Sequence, residues 1–301
     1  MRERENKIYY NIKTLKRLYK RNININQFLR KKTNLSEKSI IKISYDLQSG
    51  SYIRSYNYMN SLKNLNFMIK EINSTKFKSL LDFGCGELTN FYTLMKNIKT
   101  SKKVFYANDY SFNRIFLGKK FLNKKKLSIN LTCFANDTIK IPLPDNSIDI
   151  VTTVHAIEPN KYDANKILME LWRIAKKKLI LLEPNNELTN EMPSYLKKKI
   201  NQRLKKNNYT LNLEEKIKNI TTDYRIIKSN NHFNPLNPSS LFIIEKNSQK
   251  SSKLNFLNPD NNNDKLKKNL SFYFSEKTGR IFPIIKNIVL FNKNEIFINN
   301  K

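Results

Sequence analysis

The sequence predicts an α/β fold: a doubly wound, mostly parallel sheet of seven strands. A helical N-terminal extension precedes it and a small β appendage follows. Three observations predict this. From residue 78 to 185, short apolar runs alternate with segments of helical period. Most of these runs end in Asn, Asp or Glu. The first run, Ser79-Leu80-Leu81, passes into Asp82-Phe83-Gly84-Cys85-Gly86, which holds two of the chain's five glycines.

Residues 1–75 read as helical. Ile8 to Leu18 and Tyr58 to Ile72 carry apolar residues at three- and four-residue steps, among them Leu62, Leu65, Met68, Ile69 and Ile72. Between them, Ser44 to Ile53 is polar and aromatic and contains Gly50. It reads either as a plain loop or as a segment folding over a ligand, with Tyr45, Gln48 and Tyr52 offering stacking and hydrogen bonds. Strands follow at 79–83, 103–107, 131–135, 148–154 and 178–182. Helices lie between them at 87–98, 114–122 and 164–175. Such alternation gives a parallel sheet covered on both faces. Residues 186–220 read as one or two basic helices, and 224–229 and 240–245 as two late strands, one of them antiparallel. The domain therefore spans 76–246. Residues 247–264 are rich in Ser, Asn, Asp and Lys and read as a linker. The last stretch, to residue 301, reads as the β appendage, with a turn at Lys277-Thr278-Gly279.

Lys and Arg number 56 against 25 Asp and Glu, a net charge of +31. Two readings stay open. The excess marks a polyanionic partner such as RNA, or it reflects an AT-rich coding bias that also multiplies Asn and Ile. The basic clusters are scattered, which fits solvated faces. Nucleic acid is therefore an alternative partner rather than the favoured one. No apolar run approaches the roughly 20 residues of a membrane helix. The N-terminus lacks a signal-peptide core. Cys85 and Cys133 are the chain's two cysteines. They are too few for a zinc cluster and read as reduced thiols of a cytoplasmic protein. No metal site is expected.

The chemistry sits on the strand ends, which share one rim in a parallel sheet. A carboxylate at Asp109, after the second strand, suits two ribose hydroxyls. A dinucleotide site wants a third glycine where Thr89 stands. No Gly-Lys-Ser/Thr follows, which excludes a phosphate-binding loop of that type. Asp82 beside the turn repels pyrophosphate and favours a cationic ligand. S-adenosylmethionine, which carries an ammonium and a sulfonium and no phosphate, meets these demands.

From Ser79 to Asn185 the chain resembles the class I S-adenosylmethionine-dependent methyltransferases, of the small-molecule kind often called type 11, whose fold is Rossmann-like. The resemblance implies that Asp82, Gly84, Cys85 and Gly86 surround the methionyl part. It implies that Asp109 holds the ribose, and that Asp137, with Asn136 beside it, reaches the adenine. His155 to Glu158 would face the transferring methyl. Leu88 stands where many members have a third glycine, so the backbone must pass with a side chain present.

His155 reads equally as a catalytic base or as a structural histidine, and Glu158 as a substrate-orienting group or a helix cap. His232 reads as a loop residue. The acceptor would be a small molecule, such as a sugar or surface-polysaccharide precursor. The rivals are an RNA methyltransferase or RNA-binding protein, and a non-catalytic partner subunit of the same fold. Phe274 to Leu290 resembles the end of the small zinc-ribbon-like domains that activate some methyltransferases, here without a cysteine pair.

Overall fold

The computed structural model describes residues 12–136, 139–207, 209–228, 237–246, 251–291 and 297–298. The chain opens with helices α1 (Ile12–Lys20), α2 (Ile25–Lys32), α3 (Glu37–Gln48), α4 (Ser51–Ser55) and α5 (Tyr58–Asn73). Polar side chains start them where the sequence supplies one. Ser36 accepts from the Ser39 amide ahead of α3, and Asn57 accepts from the Asn60 amide ahead of α5.

The alternating region gives β1 (Ser79–Phe83), α6 (Thr89–Asn97), β2 (Val104–Asp109), α7 (Phe112–Lys124), β3 (Leu131–Ala135), β4 (Ile148–Val154), α8 (Ala164–Ile174) and β5 (Ala175–Pro184). A short 3-10 turn (Asn186–Glu191) then leads to α9 (Ser194–Asn207), α10 (Leu213–Lys218), β6 (Tyr224–Lys228) and β7 (Ser239–Glu245). Their spatial order is β3-β2-β1-β4-β5-β7-β6. The first five are parallel, and β7 runs antiparallel between β5 and β6. The order in which strands are added reverses between β1 and β4, so the crevice for a ligand opens beyond their carboxyl ends.

Period-two alternation in the strands builds two cores. Leu80, Phe105, Ile150 and Ile180 face α5, α6 and α7, meeting Leu65, Met68, Phe91 and Ile115. Leu81, Val151, Leu179 and Phe242 face the other way, against Leu168, Leu171 and Ile217 from α8 and α10.

Three expectations change. The polar stretch from Ser44 to Ile53 is helical on both sides of Gly50, because α3 runs on to Gln48 and α4 starts at Ser51. The helix after the glycine loop starts at Thr89 rather than Glu87, because Leu88 adopts a left-handed backbone (φ 57°) that breaks the helical path. Residues 247–250 of the expected linker lie outside the described residues, and from residue 251 the described tail carries strands that join the main sheet. It forms β8 (Leu257–Asn258), β9 (Asn261–Lys265), β10 (Lys267–Lys268), β11 (Phe272–Phe274), β12 (Arg280–Ile285), β13 (Ile288–Leu290) and β14 (Phe297–Ile298). β13 pairs in parallel with β3, Val289 opposite Phe134, so the sheet grows to twelve strands among the described residues. Phe256, Phe282 and Phe291 are buried in the second core. Their apolar area holds the tail to the sheet, each such side chain contributing roughly 2 kcal/mol.

Candidate functional site

The glycine turn is built by its neighbours. The Cys85 amide donates to the Asn108 carbonyl at 2.9 Å, and the Gly86 amide to Asp109 Oδ2 at 2.8 Å. Asp109 Oδ1 accepts from the Ser111 amide at 2.8 Å. Both glycines are left-handed, and neither has room for a side chain. A Cβ on Gly84 would lie 2.4 Å from that of Ala156, and one on Gly86 would lie 2.7 Å from Arg114 Nη2. The loop thus presents bare backbone to the crevice.

Leu88, at the missing third glycine, is fully buried despite its positive φ. Its room comes from Gly118 on α7, where a Cβ would meet the Glu87 carbonyl carbon at 2.7 Å and Leu88 Cγ at 2.9 Å. Glu87 turns its carboxylate toward the N-terminal helices. Its Oε1 accepts from the Gly50 amide and its Oε2 from the Ile53 amide, each at 2.9 Å. That carboxylate caps α4. Ser111 Oγ donates to Asp46 on α3. These contacts seat α3 and α4 as a lid over the loop.

Two adjoining cavities lie under this lid. The first is lined by Tyr45, Phe83, Gly84, Asn108, Asp109, Arg114, Asn136, His155 and Ala156, with others. The second is lined by Asn26, Arg30, Tyr45, Gln48, Tyr52, His155, Glu158, Arg203, Tyr209 and Asn237, with others. Tyr45 and His155 belong to both.

Of the residues expected in the site, Gly84, Asp109, Asn136, Tyr45 and His155 line the first cavity. Gln48, Tyr52 and Glu158 line the second. Asp82, Cys85 and Gly86 shape the wall rather than the lining. Asp82 is 3% exposed and accepts from Thr152 Oγ1 at 3.0 Å. Burial, together with the charge of Asp109, raises its pKa to about 7, against the pull of the Thr152 hydrogen bond. The Cys85 thiol is buried, and burial pushes its pKa well up. Asp137 and His232 lie outside the described residues.

The stretch after β4 is held from below. Glu183, fully buried, accepts from Thr153 Oγ1 at 2.7 Å and from the amides of Ala156, Ile157 and Glu158 at 2.9 to 3.3 Å. Burial raises its pKa, partly offset by His155 and these hydrogen bonds. His155 takes a left-handed backbone (φ 54°). Its Nδ1 lies 3.3 Å from Glu158 Oε2, and its Nε2 lies 2.9 Å from Ser239 Oγ. The Asn237 amide donates to both Glu158 oxygens at 3.2 and 3.3 Å.

Sequence reading missed Glu87, Arg114, Glu183 and Ser239 as site-builders. Glu183 ends a strand as Asp82 and Asp109 do, and that signal was available. The others act through partners far away in the chain.

The first cavity offers chemistry suited to a hydroxyl-bearing or cationic ligand. Asn108 Oδ1 is buried with no hydrogen-bond partner among the described residues, which suits a donor such as a hydroxyl or ammonium. Asp109 keeps lone pairs on both oxygens.

Residues 81–182 match the family model described as Methyltransferase domain. The protein carries a class I S-adenosylmethionine-dependent methyltransferase domain. It is an enzyme of that kind, with S-adenosylmethionine as cofactor. No curated protein matches the chain. Among solved structures it is similar to an S-adenosylmethionine-dependent methyltransferase from Aquifex aeolicus. That pair shares 21% identity over 70% of this chain and 98% of the other, with a TM-score of 0.44. It is also similar to magnesium protoporphyrin IX methyltransferase from Synechocystis PCC 6803, with 13% identity over 70% and 98% and a TM-score of 0.48. The small RNA methyltransferase HEN1 shares 16% identity over 64% of this chain and 26% of the other, with a TM-score of 0.45. Among the described residues, no helix of the methyltransferase is long and apolar enough to cross a membrane.

Proposed function

We propose that this methyltransferase acts on a small, hydroxyl-bearing acceptor, such as a sugar or polysaccharide precursor, held in the second cavity. The observation that carries the reading is the position of His155. It lines both cavities, with Glu158 beside it in the second. That second cavity lies between the lid helices and α9 and is edged mainly by polar side chains. Its size and polarity suit a small polar molecule better than a polymer.

When bound, the cofactor supplies an electrophilic methyl group. In this reading Asp109 takes the ribose hydroxyls. Asn136, with Asp137, takes the adenine. Gly84 and Gly86 let the methionyl part lie against bare backbone, with Asp82 and Cys85 behind them. Tyr45, Gln48 and Tyr52 cover the two ligands and exclude water. His155 receives the acceptor's proton. Its Nε2 lies 2.9 Å from the Ser239 hydroxyl, which donates to the Asn237 carbonyl at 3.1 Å, and Glu158 stands beside Nδ1.

The test incubates the full chain with methyl-labelled cofactor, a panel of small hydroxylated acceptors, and total RNA. Label in a small-molecule product, lost in His155→Gln, is expected. Acid-precipitable label in RNA would establish the rival that the +31 charge suggests. In that case binding should also weaken steeply with salt.

A further inference from the structure

Arg114 is a cation whose side chain makes no ion pair or hydrogen bond among the described residues. It projects from the first turn of α7 into the first cavity. Its guanidinium carbon lies 5.0 Å from the centre of the Tyr45 ring and 4.9 Å from that of Tyr52. The two lid tyrosines thus hold it by cation–π contact. Its Nη2 stands against Gly86, where even a Cβ would come within 2.7 Å. Its Nε is shielded from solvent and has no acceptor among the described residues. Burial favours the neutral form, but the charges of Asp109 and Glu87 and the two tyrosines keep it cationic. A desolvated guanidinium without an acceptor is costly unless a ligand supplies one.

We propose that Arg114 binds the α-carboxylate of the cofactor's methionyl end. The inference rests on the placement of that end along the Gly84–Gly86 turn. The cofactor has one anionic group, this carboxylate, and no phosphate. The planar fork of Arg matches a carboxylate with two parallel hydrogen bonds. The carboxylates lining the first cavity, Asp109 and Asp163, repel anions and suit hydroxyls. The methionyl end is therefore the end that meets the cation. The same contact makes ligand binding and lid closure one event, because the carboxylate would bind a guanidinium already packed between Tyr45 and Tyr52.

Two ligands separate this role from a structural one. S-adenosylhomocysteine carries the carboxylate, and 5′-methylthioadenosine lacks the whole amino-acid part. Calorimetric titration of the full chain with each is expected to show Arg114→Gln weakening S-adenosylhomocysteine on the order of ten- to a hundredfold. Affinity for 5′-methylthioadenosine should stay within about threefold, since no charged hydrogen bond is lost. Arg114→Lys keeps the charge but not the fork, and should fall between wild type and Arg114→Gln. That variant carries the test if the glutamine variant unfolds. Equal losses for both ligands, or no loss for either, would overturn the assignment. A wild-type chain that binds neither ligand would instead overturn the cofactor placement itself.

Discussion

The Glu87 carboxylate accepts the Gly50 amide at 2.9 Å, joining the residue after the glycine turn to the hinge of the lid. Cofactor loop and lid are therefore one mechanical unit, although 37 residues separate the two partners.

Glu87→Ala should release α4. It removes a cap and leaves two amides, those of Gly50 and Ile53, without their acceptor. The cost in stability should be about 1–3 kcal/mol. Urea unfolding measures the loss, and limited proteolysis around residues 49–56 should quicken. An unchanged cleavage rate in that segment would mean that the lid is held elsewhere.

Asp82 should make stability fall as pH rises. Its folded pKa, about 7, lies above the value near 4 of an unfolded Asp. The folded state therefore keeps a proton that the unfolded state gives up. Below about pH 4 both states are protonated and nothing is lost. Between about pH 4 and pH 7 the group should cost up to ~1.4 kcal/mol per pH unit, with no further change above. Asp82→Asn should flatten that slope in denaturant unfolding series and raise stability at neutral pH. A slope unchanged by the substitution would assign it to other groups.

Leu88 sets two effects against each other. Relieving its left-handed backbone by Leu88→Gly gains about 1–2 kcal/mol. Losing its fully buried side chain costs about 2–5 kcal/mol. Burial wins, so Leu88→Gly should lower the thermal midpoint. Gly118→Ala should lower it too. The helix-propensity gain of roughly 1 kcal/mol is outweighed by contact with the Glu87 backbone at 2.7 Å. A higher midpoint for either variant would show that the loop can shift to make room.

Phe291→Ala tests whether the tail is integral. Phe291 is fully buried and packs on Phe134, Phe256 and Phe282. The loss should be about 3–5 kcal/mol, in a single cooperative transition. A separate early transition, leaving the rest intact, would mean that the tail unfolds alone.

Much of the alternating region was legible in the sequence because its signals are local. Leu131–Ala135 and Ile148–Val154 have the expected bounds, each an apolar run closed by polar residues. Asp109 was legible as a carboxylate at the end of the second strand, and it lines the first cavity. Arg114 was not. In the sequence it is one more basic residue of a basic chain, and its character comes from Tyr45 and Tyr52, brought over it by the lid. The tail misled for the opposite reason. Its Ser, Asn and Asp look like a linker, yet Asn258 and Ser275 spend their polar groups on the buried Asp264. Those hydrogen bonds free Phe256 and its neighbours to face the core.

The parallel pairing of β13 with β3 also has a meaning for biosynthesis. During translation β3 emerges long before Ile288–Leu290 can reach it. Until then the nascent sheet exposes the free rim of Cys133 to Ala135, apolar and ready to pair with another copy. Ribosome pausing or premature termination upstream of residue 288 would leave that rim uncovered, so the timing of β13 bears directly on whether newly made chains clump.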